Sequence, residues 1–254
     1  MTSTTPGSAI FRHHHITLCT GDAQEDYDFH TRVLGLKSVK KTLLYDGNVP
    51  IYHLYYGNDT GEESSLVTSF PLRHTGARAR RGSGQIDYFS LSIPDSALSF
   101  WQERLTGHGF AVNATERLGE RCLDFKHPCG IDYSLVGVHD DLRAPHSHGP
   151  VPADFMIRGT HSICVSVRDI ELMDEFMLEG WGGRRVAEDG AHVRYALGAG
   201  ASGCLVDFVV EPQRAQGSWG LGEGSIHHMA FQVSTHAEQD AIKARLESMG
   251  LTDT

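Results

Sequence analysis

His15-Ile16-Thr17-Leu18-Cys19 is a histidine leading a short apolar run of strand-forming residues, and the fold is decided by the pattern of the next fifty residues. Asp22 comes next with Glu25 three residues later, the pattern of a helix start in which cap and third residue bond each other's backbone. The apolar spacing of Phe29, Val33 and Leu34 carries that helix to Gly35, where it stops. Strand-like stretches then occupy 38–44, 51–56 and 65–70. A strand, a helix and three strands make a βαβββ unit of about 70 residues.

The unit recurs. A second begins near Tyr88-Phe89-Ser90-Leu91, with a helix over 96–105 ahead of Gly107 and Gly109. A third begins at His161-Ser162-Ile163-Cys164-Val165-Ser166-Val167, and its helix carries Ile170, Met173, Phe176 and Met177 before Gly180. The fourth begins at His228-Met229-Ala230-Phe231-Gln232-Val233; its helix starts after Thr235, again with Glu238 three residues on, and reaches Gly250. The spacing predicts an α+β fold of four modules in two halves, each pair of modules curling its strands round a cup with the helices outside. Modules 1 and 2 fill residues 10–143 and modules 3 and 4 fill 159–254. The intervening 144–158, with Pro145, Pro150 and Pro152, is the expected linker. The repeat also calls for three more strands after the fourth helix. The 254-residue chain is therefore expected to be a fragment, with open strand edges and no activity by itself.

Composition narrows the function. A net charge of −10 disfavours a nucleic-acid partner. No apolar run is long enough to span a membrane and the N-terminus lacks a signal pattern, so the expected location is cytoplasmic. The five cysteines form no Cys-x-x-Cys pair and read as buried free thiols. Arg78, Arg80 and Arg81, set among glycines, read as a solvated loop. Sixteen histidines are many for this length.

Three histidines open modules: His15, His161 and His228. Strand alternation would aim each into a cup, where imidazoles from different modules can share a metal ion. His15 and His228 each close a doublet, with His14 and His227 before them, whereas His161 follows Thr160. The expected ligands are accordingly His15 and His228, with His161 a buried histidine of a second, metal-free cup. Two histidines and one carboxylate suit ferrous iron and oxygen chemistry. The carboxylate belongs on a module's last strand. The third module has Asp207 there, the second has Ser134 and the first has none. Carrying the spacing from His161 to Asp207 over to His228 places it at about position 274.

Longer strings point to a family. His14-His15-Ile16-Thr17-Leu18-Cys19-Thr20-Gly21-Asp22-Ala23-Gln24, Val39-Lys40-Lys41-Thr42, Tyr45-Asp46-Gly47, Pro50-Ile51-Tyr52-His53-Leu54-Tyr55-Tyr56, Gly217-Ser218-Trp219 and Glu223-Gly224-Ser225-Ile226-His227-His228 occur in order. Together they resemble the hydroquinone and chlorohydroquinone ring-cleaving dioxygenases, of the vicinal oxygen chelate (glyoxalase, bleomycin resistance and extradiol dioxygenase) superfamily. The resemblance runs from about His14 to Asp253. It implies Fe(II) held by His15, His228 and a glutamate on the final strand, beyond Thr254. It further implies His227, His14 and Thr17 beside the ligands as catalytic or pocket residues, and hydroquinone and dioxygen as reactants. Ser134 departs from the family, whose members tend to carry glutamate there. Two other readings stay open: a non-catalytic binder of aromatic or drug-like molecules on the same fold, and a glyoxalase-like metal isomerase. Homo-oligomerisation is compatible with the sequence, which does not fix it.

Overall fold

A computed structural model describes residues 10–46, 49–218 and 220–252; Gly47 and Trp219 of the quoted strings lie outside them. The first module is β1 (Ile10–Thr20), α1 (Ala23–Asp28), β2 (Lys37–Asp46), β3 (Val49–Gly57) and β4 (Leu66–Pro71). The second is β5 (Gln85–Pro94), α2 (Leu98–Gly107), β6 (Asn113–Arg117), β7 (Glu120–Lys126) and β8 (Asp132–Val138). The third is β9 (Gly159–Val167), α3 (Glu171–Glu175), β10 (Arg184–Asp189), β11 (His192–Ala196) and β12 (Leu205–Val210). The fourth supplies β13 (Ser225–Val233) and α4 (His236–Ser248). The α+β architecture and the repeat are those expected from the spacing.

Local chemistry explains the helix limits. Asp22 accepts from the backbone of Gln24 and Glu25, capping α1, while Glu25 reaches out to Arg73 instead of back to the cap. Thr235 and Glu238 form the full reciprocal box on α4. α1 runs on as a π-helical turn over Phe29–Val33, and the chain leaves it through Gly35 at φ +72°, a conformation glycine adopts without steric cost.

The modules pair differently from the expected halves. One sheet has five strands in the order β13-β1-β4-β3-β2; the other has eight, ordered β10-β11-β12-β9-β5-β8-β7-β6. Module 1 thus shares a sheet with module 4, and module 2 with module 3, so the division at 144–158 does not separate the sheets. In each complete module the last strand lies parallel to the first and covers one of its edges. The other edge is free to pair, and β13 meets that of β1 while β9 meets that of β5, both antiparallel. The period gives the modules but not which free edges meet.

The 144–158 stretch is held down rather than loose. Val151, Met156 and Ile157 are buried in the main core, and Trp101 Nε1 donates to the Phe155 carbonyl at 2.7 Å. The basic run is ion-paired too: Arg78 approaches Glu223 at 3.4 Å, and Arg81 bonds Asp87 and Asp132. All five cysteines are free, four of them buried. No helix among the described residues is long and apolar enough to cross a membrane.

Candidate metal centre

The two histidine doublets face each other across the β1–β13 ladder. His13 pairs with Phe231 and His15 with Ala230, so His14 is an extra residue in β1. Thr17 pairs with His228 and Leu18 with Ile226, so His227 is an extra residue in β13. Each is a β-bulge, and a bulge re-aims the side chains beside it. Strict alternation would throw the two rings of a doublet to opposite faces. The bulges keep them together instead: His14 Nδ1 lies 2.8 Å from His15 Nδ1, and His227 Nδ1 lies 2.7 Å from His228 Nδ1.

With their Nδ1 atoms engaged, both outer nitrogens turn toward one point. His15 Nε2 and His228 Nε2 are 3.1 Å apart. Two imidazole nitrogens at that spacing would both reach one metal ion. Burial, then the neighbouring imidazoles of His228, His14 and His53, hold His15 down at about 4. Burial and His227 likewise lower His228. Neutral imidazoles at neutral pH are what a metal ion needs. Thr17 Oγ1 stands 3.3 Å from His228 Nε2 and 2.7 Å from Thr68 Oγ1. The residues present fit a metal ion.

Several neighbours carry no expectation from the sequence. On β3, His53 bonds Thr68 Oγ1 at 3.1 Å through Nε2 and Tyr55 Oη at 2.8 Å through Nδ1. Phe70 on β4 packs between the rings of His53 and His227, with centroids at 4.4 and 5.5 Å. A cavity of about 260 Å³ opens beside His227, walled by Cys19, Ile51, Phe70 and Leu72. The period-2 run Ile51, His53, Tyr55 is the signal that could have found them, since it puts all three on one face of β3.

His161 lies in the other sheet. The backbone N–H of Ser64 donates to the His14 carbonyl, and that of Gly203 to the His161 carbonyl, both at 2.9 Å. Leu66 pairs with His15 as Leu205 pairs with Ser162. By register, His161 therefore corresponds to His14, and Ser162 stands where His15 does. Tyr88, opposite Cys164 as His228 is opposite Thr17, takes the second ligand's place. Counting from the histidine that leads each apolar run puts the repeat one residue out of step; the bulge itself recurs in β9, where His161 and Ser162 stand against Ser90 alone. His161 Nε2 meets Glu120 at 3.1 Å. Asp207 holds Arg194 through two bonds of 2.7 and 2.9 Å, so it takes no part in the β1–β13 centre.

Asp26, His30 and His127 form a second, fully buried group with donor atoms close together. His30 Nδ1 donates to the Asp26 carbonyl and its Nε2 accepts from Tyr133 Oη, both at 2.9 Å. His127 Nδ1 accepts from Cys129 N at 3.1 Å, which leaves Nε2–H facing Asp26 Oδ1 at 3.3 Å. Tyr56 and Ser69 donate to Asp26 Oδ2 at 2.6 and 2.5 Å. Both His30 nitrogens are engaged without an ion, whereas His127 Nε2 and Asp26 Oδ1 have no hydrogen-bond partner among the described residues; the three form a buried polar group whose donor atoms could also hold a metal ion.

No protein-family model matches the chain. Chlorohydroquinone/hydroquinone 1,2-dioxygenase of Sphingobium indicum is 40% identical over 243 residues, 94% of this chain and 76% of the relative. The chain belongs to the hydroquinone ring-cleaving dioxygenase family. Another relative is a Bacillus subtilis protein named for ring cleavage, MhqO, 32% identical over 89% of the chain and 70% of its own length. A crystal structure of a Bacillus subtilis protein described as a dioxygenase superposes with a TM-score of 0.86 at 30% identity, over 95% of this chain and 76% of that one. Glyoxalase I of Zea mays shares the vicinal oxygen chelate fold, with a TM-score of 0.66 at 14% identity over 94% and 80% of the two chains.

Proposed function

We propose that the protein cleaves the ring of hydroquinone or a chlorinated hydroquinone with Fe(II) held by His15 and His228. The observation that carries this reading is the convergence of their Nε2 atoms at 3.1 Å, on two bulged strands whose extra residues are themselves histidines. Bound there, ferrous iron supplies open positions for a substrate hydroxyl and dioxygen and an electron path between them. The protein supplies the rest. His14 and His227 fix the rings of the two ligands through their Nδ1 atoms, which orients the ligating nitrogens. The cavity beside His227 has room for one aromatic ring, a benzene needing about 150 Å³, and its walls suit apolar ring substituents.

His227 is exposed, stands in the bulge beside His228 and lines the cavity. Its imidazole can hold or deliver a proton at the reacting ring. His227→Phe is expected to retain iron but lower turnover by about 10²-fold, the usual size of a general acid–base contribution. Unchanged turnover would remove His227 from the chemistry.

Oxygen uptake tests the reading as a whole. The intact protein, loaded with iron under nitrogen, is expected to consume oxygen in proportion to added hydroquinone. Binding of hydroquinone without oxygen consumption would instead support a binding protein or an isomerase on this fold.

A further inference from the structure

A line of hydrogen-bonding side chains runs from the ligand pair through the sheet's inner face toward solvent. Thr17 Oγ1 is 3.3 Å from His228 Nε2 and 2.7 Å from Thr68 Oγ1. Thr68 Oγ1 is 3.1 Å from His53 Nε2, and His53 Nδ1 is 2.8 Å from Tyr55 Oη. Thr17 and Thr68 are fully buried, whereas His53 and Tyr55 are half-buried. The two buried hydroxyls are in mutual contact, one beside the ligand pair and the other on the His53 imidazole, an arrangement through which a proton can pass. The strands explain the alignment. Thr17 and Thr68 are direct partners in the β1–β4 ladder, and Thr68 pairs with Tyr55 in the β3–β4 ladder.

We propose that His53 is the proton acceptor for the substrate hydroxyl, reached through Thr17 and Thr68. The inference rests on the reading of the β1–β13 centre as the place where a hydroquinone binds. A neutral hydroquinone must lose a proton to bind as an anion. Its O–H bond breaks as a bond forms to Thr17 Oγ1; Thr17 passes its own proton to Thr68, and Thr68 passes its own to His53 Nε2. The tautomer with hydrogen on Nδ1 donates to Tyr55 Oη and leaves Nε2 free to accept. The resulting imidazolium then releases its Nδ1 proton toward Tyr55 and solvent. No electron moves in these steps. The groups facing His53 are Tyr55, Thr68 and Phe70, with His228, Lys40 and His227 nearby. Burial, then His228, Lys40 and His227, lower the pKa of His53.

The test separates proton transfer from packing by varying substrate acidity. Thr68→Val keeps the shape of the side chain and interrupts the path; His53→Gln keeps a polar group but removes the acceptor. Stopped-flow absorbance follows anaerobic binding to the iron-loaded protein, so no ring cleavage is needed for the readout. For unsubstituted hydroquinone, both variants are expected to bind at least about 10-fold more slowly than the parent, the low end of a general-base contribution. For tetrachlorohydroquinone, whose hydroxyl is already largely ionised, the rates should match the parent. Equal slowing of both substrates would show a merely structural role, and no slowing of either would show that the proton leaves elsewhere; either result overturns the proposal. If Thr68→Val does not fold, His53→Gln and Tyr55→Phe carry the comparison. Failure of the ring-cleavage reading would appear separately, as absence of oxygen uptake by the parent.

Discussion

His15→Ala and His228→Ala should each abolish stoichiometric iron, and with it all hydroquinone-dependent oxygen uptake, while His161→Ala keeps both. Each alanine leaves a single imidazole where two converge at 3.1 Å, and one neutral nitrogen cannot fix an ion in place. His161 belongs to the eight-stranded sheet, where it bonds Glu120 and Ser202 and faces no second histidine doublet. Metal analysis after dialysis decides the matter. Full iron occupancy in His15→Ala would refute the assignment of the ligands.

A second large effect is expected behind the sheet. Asp26 sits on the helix-covered side of the strands whose inner face carries the candidate centre. Burial by itself would raise its pKa, but the imidazole of His30, the bond and charge of His127, and the Ser69 hydroxyl outweigh it and hold the group at about 2. Asp26→Ala strands the Tyr56 and Ser69 hydroxyls in a dry interior. Breaking one partner out of such a buried network costs about 3–5 kcal/mol. Urea unfolding at pH 7 measures it, and a loss under about 1 kcal/mol would mean that the cavity rehydrates or collapses at little cost.

The same network sets a dependence on pH. Burial lowers His30 from 6.5 to about 4, with the Asp26 charge opposing. A histidine whose folded pKa is depressed gives stability that is complete above its unfolded pKa and is lost as pH falls through the folded one. The window is therefore pH 6.5 down to about 4. Between about pH 7 and 4.5 His30 should cost about 2–3 kcal/mol of stability. His30→Gln should flatten that part of the profile by close to one proton, and an unchanged slope would move the effect to another group.

The repeat, the four helices and the strands of the first module are legible in the sequence because each rests on local signals: Asp22 and Thr235 as caps, Gly35 as a stop, alternating residues on β3. The features that escape the sequence depend on partners far away in the chain. The free edges of β1 and β5 could each have met several strands, and no local signal names β13 or β9. The doublets are legible as sites, but their bulges are not, since a bulge is defined only against the opposite strand. Spacing from each leading histidine matches His161 to His15, whereas the ladder sets it in the place of His14. His53 stands in one of the family-like strings without a role, because its meaning lies in Thr68 and Thr17 on two other strands.

The β1–β13 pairing has a consequence for how the protein comes to hold its metal. The two imidazoles that meet at 3.1 Å are separated by 213 positions in the chain. Contacts of that range are slow to form and come late. Modules 2 and 3 can complete their shared sheet while β13 is still being synthesised, because all eight of its strands lie between Gln85 and Val210. β1 emerges first and waits, its pairing edge open to wrong partners for most of translation. On the proposed ligand assignment, metal capture is then a late event of folding, and any delay in β13 lengthens the interval in which His14 and His15 stand exposed at an unpaired edge.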